Sequence, residues 1–120
     1  MQLQGSITAL CTPFAESGLL DIPAWRAQID AQIRSGTAAL VVAGSTGEAA
    51  ALNDEEFCQL IELASIRVAG RIPILAGTGQ SATAKTIKRT RLAKNCGADI
   101  ALVVTPPYVR PTQAGLQAHY

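Results

Sequence analysis

Aromatic side chains are scarce, making up 4% of the 120 residues, so a nucleic-acid platform that stacks bases on interleaved rings is not written into the chain. Cysteine is sparse and odd in number. Cys11, Cys58 and Cys96 are widely spaced, with neither a CxxC pair nor a Cys/His ligand spacing. That pattern supports neither a disulfide framework nor a zinc site, and it fits a reducing cytoplasm. An excess of one charge is also lacking: ten Lys and Arg against nine Asp and Glu leave +1, so no global field steers the chain toward nucleic acid or an anionic membrane surface. No apolar run approaches the ~18 residues of a membrane-spanning helix, and no basic leader precedes an apolar stretch. These absences predict a cytoplasmic protein whose partners are small molecules, with no nucleic acid and no membrane.

What is present is a globular composition, 48% hydrophobic and 16% charged, which excludes disorder. Short apolar, β-branched runs alternate with longer amphipathic segments in the order βαβαβαβα. Gly5 to Cys11 reads as a strand ended by Thr12-Pro13-Phe14, because proline cannot donate to a ladder. Ile22, Trp25, Ile29 and Ile33 mark one stripe of a helix that Gly36 closes. Ala38 to Ala43 is a continuous apolar run, as in a parallel strand buried on both faces.

Asn53 followed by Glu56 forms a capping-box start, Phe57, Ile61, Ala64 and Val68 form the buried stripe, and Gly70 ends the helix. Ile72 to Ala76 predicts a third strand, Ser81 an N-cap for a helix reaching Asn95, and Ile100 to Val104 a fourth strand. A further helix has begun by Tyr120. Lys85, Lys88, Arg89, Arg91 and Lys94 read as a solvated face of the third helix. Four βα units with no return strand fit a doubly wound sheet or a barrel. A complete (β/α)8 barrel needs about 250 residues. The expectation is therefore an α/β fold in which residues 1–120 are the N-terminal half of a (β/α)8 TIM barrel, with the C-terminal half absent.

In either parallel architecture, ligands sit at the carboxyl ends of strands. There the loops Thr12-Pro13, Gly44 to Glu48, Gly77-Thr78-Gly79 and Thr105 to Arg110 gather. Gly44 and Gly47 let backbone approach a ligand closely, and the N–H groups of Ser45 and Thr46 can converge on a carboxylate or phosphate. The same residues also suit a tight turn whose hydroxyls only cap backbone. The loop is neither a Walker motif, since no lysine follows its second glycine, nor a dinucleotide fingerprint. Glu48 reads as an acceptor for backbone amides more readily than as a base. Tyr108 is held at the rim behind two prolines, Arg110 is a candidate carboxylate clamp or a plain surface residue, and His119 lies too far along the last helix to be expected in catalysis.

Taken together, Gly5-Ser6-Ile7 then Thr12-Pro13, Gly44-Ser45-Thr46-Gly47-Glu48, Ala76-Gly77-Thr78-Gly79 and Thr105 to Pro111 resemble the dihydrodipicolinate synthase family across the whole chain. The resemblance implies a barrel enzyme, a lyase that condenses pyruvate with L-aspartate 4-semialdehyde through a lysine Schiff base. The product would be 4-hydroxy-tetrahydrodipicolinate, in the diaminopimelate route to lysine, with no metal or organic cofactor. It also implies that pyruvate's carboxylate lies on the amides of Ser45 and Thr46, and that the Ser45 hydroxyl relays protons with Tyr108 and another tyrosine. The tyrosine matching Tyr108 reaches into a neighbouring subunit, which makes a homo-oligomer, a dimer of dimers, part of the expectation.

Ser45 stands where the family's relay threonine usually is, keeping the hydroxyl and losing the methyl that restricts its rotamer. The Schiff-base lysine, the second tyrosine and the arginine for the semialdehyde carboxylate belong to later strands, and Lys85, Lys88 and Lys94 fall on an outer helix. This segment alone is thus expected to be inactive. The family's lysine-feedback cleft maps onto Ala49, Asp54, Phe57, Ser81, Lys85 and Pro107, where Lys85 would repel the ligand's ammonium, so feedback is expected to be weak or absent. Two alternatives stay open: another pyruvate-dependent Schiff-base aldolase of the N-acetylneuraminate lyase type, and a non-catalytic half-barrel module.

Overall fold

The structure, a computed structural model, describes residues 3–120. Four strands, β1 (Ile7–Ala9), β2 (Ala39–Val42), β3 (Ile74–Gly77) and β4 (Ile100–Leu102), alternate with helices α1 (Ile22–Arg34), α2 (Asp54–Val68), α3 (Thr83–Asn95) and α4 (Gln113–His119). The strands form one parallel sheet in sequence order, β1-β2-β3-β4. Each unit returns beside the one before it, as in the first half of a (β/α)8 barrel.

The alternating sides of the central strands explain which face carries the core. Leu40, Val42, Ile74 and Ala76 join Trp25, Ile29, Phe57, Leu60 and Ile61 in one buried cluster, so α1, α2 and α3 cover that face. The intervening residues Ala39, Val41 and Leu75 form a separate small cluster with Ile100 on the opposite face. β2 and β3 are buried at every position, whereas the edge strands expose Ile7 and Leu102. Trp25, fully buried, donates its indole N–H to the Leu60 carbonyl at 3.2 Å, which satisfies a polar atom that packing α1 against α2 would otherwise strand. On the outside of the same pair, Arg67 of α2 forks onto Asp30 of α1, and that guanidinium holds the Asp30 carboxyl below the usual carboxylate range.

Helix starts follow local chemistry. The Asn53 carboxamide accepts from the Glu56 N–H at 2.8 Å, and the Glu56 carboxylate accepts from the Asn53 N–H at 3.0 Å, closing the expected capping box. Ser81, expected to cap α3, does not. Ala82 occupies that position without a side-chain bond, and the Ser81 hydroxyl donates instead to the Pro107 carbonyl at 2.6 Å, tying the start of α3 to the loop after β4. The end of α2 also differs: Ala69, at φ +49°, takes the left-handed cap before Gly70 does. Strand limits shift where the backbone leaves the ladder. Gly5, at φ +106°, delays β1, and Pro73, without an N–H, delays β3.

Asn53→Ala is predicted to cost about 1 kcal/mol of stability, whereas Ser81→Ala is predicted to change it by less than about 0.5 kcal/mol. Equilibrium urea unfolding of the two variants checks the pair.

Candidate active site

At the carboxyl edge of the sheet, the chain leaving β2 turns sharply through Ala43 (φ +52°), runs through Gly44, Ser45, Thr46 and Gly47, and turns again at Glu48 (φ +57°). Two non-glycine residues in the left-handed region cost on the order of 1 kcal/mol or more each, and such strain persists only where surroundings enforce it. Three contacts do so here. The buried Thr12 hydroxyl, in the loop that follows β1, donates to the Gly47 carbonyl at 2.7 Å. Gly77, at the end of β3, lies so close beneath the turn that a Cβ there would sit 1.9 Å from the Ala43 carbonyl oxygen. A Cβ on Gly47 would come within 2.9 Å of the Leu10 carbonyl oxygen. The glycines at 47 and 77 are therefore required by close backbone approach, not by their own φ.

The turn uses some of its amides internally: Gly47 and Ala49 N–H donate to the Gly44 carbonyl at 3.1 and 3.2 Å, and Glu48 N–H donates to the Ser45 carbonyl at 3.1 Å. Among the described residues, the N–H groups of Ser45 and Thr46 have no acceptor. Both residues are exposed, while the glycines on either side are buried. An exposed pair of successive amides on a rigid turn is the geometry that receives a small anion. Beside it, Ser45, Glu48, Ala49, Gly79, Ser81, Val104 and Pro107 line a cleft of about 540 Å³.

The loops from β3 and β4 close the far wall. Thr78, fully buried, accepts from the Thr90 hydroxyl of α3 at 2.8 Å, and Thr78 N–H donates to the Leu102 carbonyl at 3.0 Å. Gly79 faces Val104 so tightly that a Cβ would lie 2.6 Å from the Val104 N.

Tyr108, by contrast, is not brought to Ser45 within this chain. At φ +61° its side chain stands fully in solvent. Arg110 and Glu48 are exposed too, and the Glu48 carboxylate has no hydrogen-bond partner among the described residues, so the expectation that it fixes backbone amides is not met. His119 lies away from the turn, its Nδ1 2.8 Å from the Thr83 hydroxyl and its ring edge-on to Tyr120.

The basic face of α3 needs correction at one position. Lys85, Lys88, Arg91 and Lys94 are exposed on the outer helix, but the Arg89 side chain is 10% exposed. Its guanidinium lies 4.1 Å over the Phe57 ring and donates to Asp54 at 3.3 Å and to the Ala49 carbonyl at 3.4 Å, which anchors α3 to the segment just after the turn. Burial lowers its pKa, partly offset by Asp54. Sequence spacing missed this because α3 places Arg89 toward α2, between neighbours that face water. Lys88 also reaches Asp54, at 3.2 Å, and with Lys85 and Gln80 these residues surround a cavity of about 170 Å³.

A parallel βα repeat with a strained turn, whose Ser45 and Thr46 amides lack acceptors, beside a cleft at the carboxyl edge defines a barrel-type α/β fold with a candidate small-anion site. The comparisons narrow the class. Residues 2–120 match the model of the dihydrodipicolinate synthetase family, and the chain belongs to that family. It is 62% identical over all 120 residues to a 4-hydroxy-tetrahydrodipicolinate synthase of Xanthomonas axonopodis pv. citri and 60% identical to that of Xanthomonas campestris pv. campestris, covering 40% of each. It superposes with a TM-score of 0.96, at 44% identity, on a chloride-inhibited dihydrodipicolinate synthase from Acinetobacter baumannii crystallised with pyruvate, covering 99% of this chain and 41% of that one. The chain thus spans about two-fifths of the length of the relatives it matches.

Because a Cβ at position 77 would enter the Ala43 carbonyl, Gly77→Ala is predicted to destabilise the fold by more than about 3 kcal/mol and to displace the turn. Chemical denaturation together with backbone amide shifts of residues 43–48 measures both.

Proposed function

We propose that this chain is the N-terminal half-barrel of a 4-hydroxy-tetrahydrodipicolinate synthase and supplies the pyruvate-holding side of its active site. The observation that carries the reading is the exposed amide pair of Ser45 and Thr46 on a turn held rigid by Thr12 and Gly77. Pyruvate's carboxylate accepts from these two N–H groups, and its keto carbon faces the centre of the sheet. The nucleophilic lysine that forms the Schiff base there comes from later strands. The apolar face bearing Ala39, Val41 and Leu75 is the surface that the remaining βα units enclose.

In this reading the Ser45 hydroxyl passes protons during imine formation and the later condensation with L-aspartate 4-semialdehyde, a general acid–base role worth roughly 100-fold or more in rate. Tyr108 makes no hydrogen bond to its own Ser45, and its full exposure suits a side chain that completes the relay in an adjacent copy. The assembly is then a homo-oligomer, a dimer of dimers, in the cytoplasm. Among the described residues no helix is long and apolar enough to cross a membrane.

Borohydride reduction in the presence of pyruvate tests the reaction class. The full-length protein is predicted to gain a stable pyruvate adduct by mass and residues 1–120 alone none. No adduct on the full-length protein would refute the assignment, and an adduct with sugar aldehydes preferred over aspartate semialdehyde would move it to the N-acetylneuraminate lyase type. In the same protein, Ser45→Ala is predicted to lower kcat at least 100-fold while Ser45→Thr retains activity.

Feedback by lysine is expected to be weak. The carboxylate of Asp54 is already engaged by Lys88 and Arg89, and Lys85 adds a further cation at the same cavity, so a ligand ammonium meets net positive charge. Submillimolar lysine is predicted to leave steady-state activity nearly unchanged, and near-complete inhibition would contradict this.

A further inference from the structure

Two of the three cysteines, 38 residues apart in sequence, meet in the fold. The Cys96 thiol donates to the Cys58 sulfur at 2.8 Å, and neither is in a disulfide. Both positions are fixed by regular backbone. Cys58 lies within α2, and Cys96 is the residue that caps α3, its own N–H bonded back to the Leu92 carbonyl and the following Gly97 N–H to that of Lys94. The chain can turn away immediately afterwards only because Gly97, at φ +101°, has no Cβ. One there would fall 2.8 Å from the Ser65 hydroxyl oxygen of α2. The end of α3 is thereby seated on α2, and the sulfurs need approach by only about 0.8 Å to reach the ~2.05 Å of a disulfide.

We infer that Cys58 and Cys96 form a thiol-oxidation site, at which a small peroxide closes an intrachain disulfide tying α2 to α3. The order of events follows from access. Cys96 is buried, and burial together with its bond to the Cys58 sulfur pushes its thiol up to about 12, so it stays protonated at neutral pH. Cys58 is half-buried and is the sulfur that peroxide reaches. Its thiolate attacks one peroxide oxygen, the O–O bond breaks, and hydroxide leaves to be protonated as water, giving a sulfenic acid. The Cys96 sulfur then attacks the Cys58 sulfur, the S–O bond breaks, and the thiol proton leaves with the hydroxyl as a second water. Two thiols and one hydrogen peroxide become one disulfide and two waters.

The bond would join the two helices whose preceding strands carry the Gly44 and Gly77 loops, so oxidation stiffens the frame beneath the site. Cys11, exposed on the first loop, has no such partner and serves as an internal reference.

The test treats the full-length protein with stoichiometric hydrogen peroxide, blocks remaining thiols with N-ethylmaleimide, and maps peptides by mass without reduction. The expected result is a peptide pair linked through Cys58 and Cys96, reversed by dithiothreitol, with an unfolding midpoint roughly 5–10 °C higher than in the reduced protein. Cys58→Ser and Cys96→Ser should each abolish link and shift, while Cys11→Ser retains both. Recovery of Cys58 and Cys96 as maleimide adducts, their conversion to sulfinic acids without a link, or links only to Cys11 of another copy would overturn the inference.

Discussion

Strands β2 and β3 run side by side with every residue buried, and just past their paired ends the Gly77 Cα lies directly under the Ala43 carbonyl. The turn from Ala43 to Glu48 can fold over the sheet edge only because nothing projects from residue 77. With that floor in place, Thr12 pulls Gly47 down from one side, and Arg89 holds the segment at Ala49 and Leu52 from the other. The strain at Ala43 and Glu48 is thus sustained by packing on three sides. What it yields is a pair of amides, at the exposed residues Ser45 and Thr46, with no acceptor among the described residues. A flexible loop could offer the same two N–H groups, but it would lose the ordering entropy each time an anion bound.

Much of the fold is legible in the sequence because the parallel repeat leaves strong marks. The unbroken apolar run from Ala38 predicts a strand buried on both faces, and Asn53 with Glu56 specifies a helix start through bonds that need only local backbone. The errors fall where a local signal loses to a tertiary one. Ser81 has the chemistry of a cap, yet its hydroxyl finds the Pro107 carbonyl. Arg89 sits among solvated lysines by spacing, but its place on α3 turns it onto Phe57. Cys58 and Cys96 carry no pairing signal in sequence, since only the docking of α3 on α2 brings them together.

The candidate site was legible in part. Glycines flanking two hydroxyl residues at a strand end identified the turn, and the four motifs in order identified the family to which the chain belongs. The supports were not. Thr12 and Gly77 read only as members of the loops gathered at the ligand edge, and their support of residues 47 and 43 appears once the sheet brings them together. Tyr108 marks the limit of what one chain contains: its side chain stands in solvent, and the proposed relay would draw it from a second copy.

The most direct test of this account is a pyruvate titration followed by the backbone amide resonances of the protein. Ser45 and Thr46 N–H are predicted to move together, downfield and to saturation, as their protons engage the carboxylate, with smaller changes at Gly44 and Gly47. Saturable shifts confined to the basic residues of α3, with Ser45 and Thr46 unmoved, would contradict the claim that this turn receives the substrate's carboxylate.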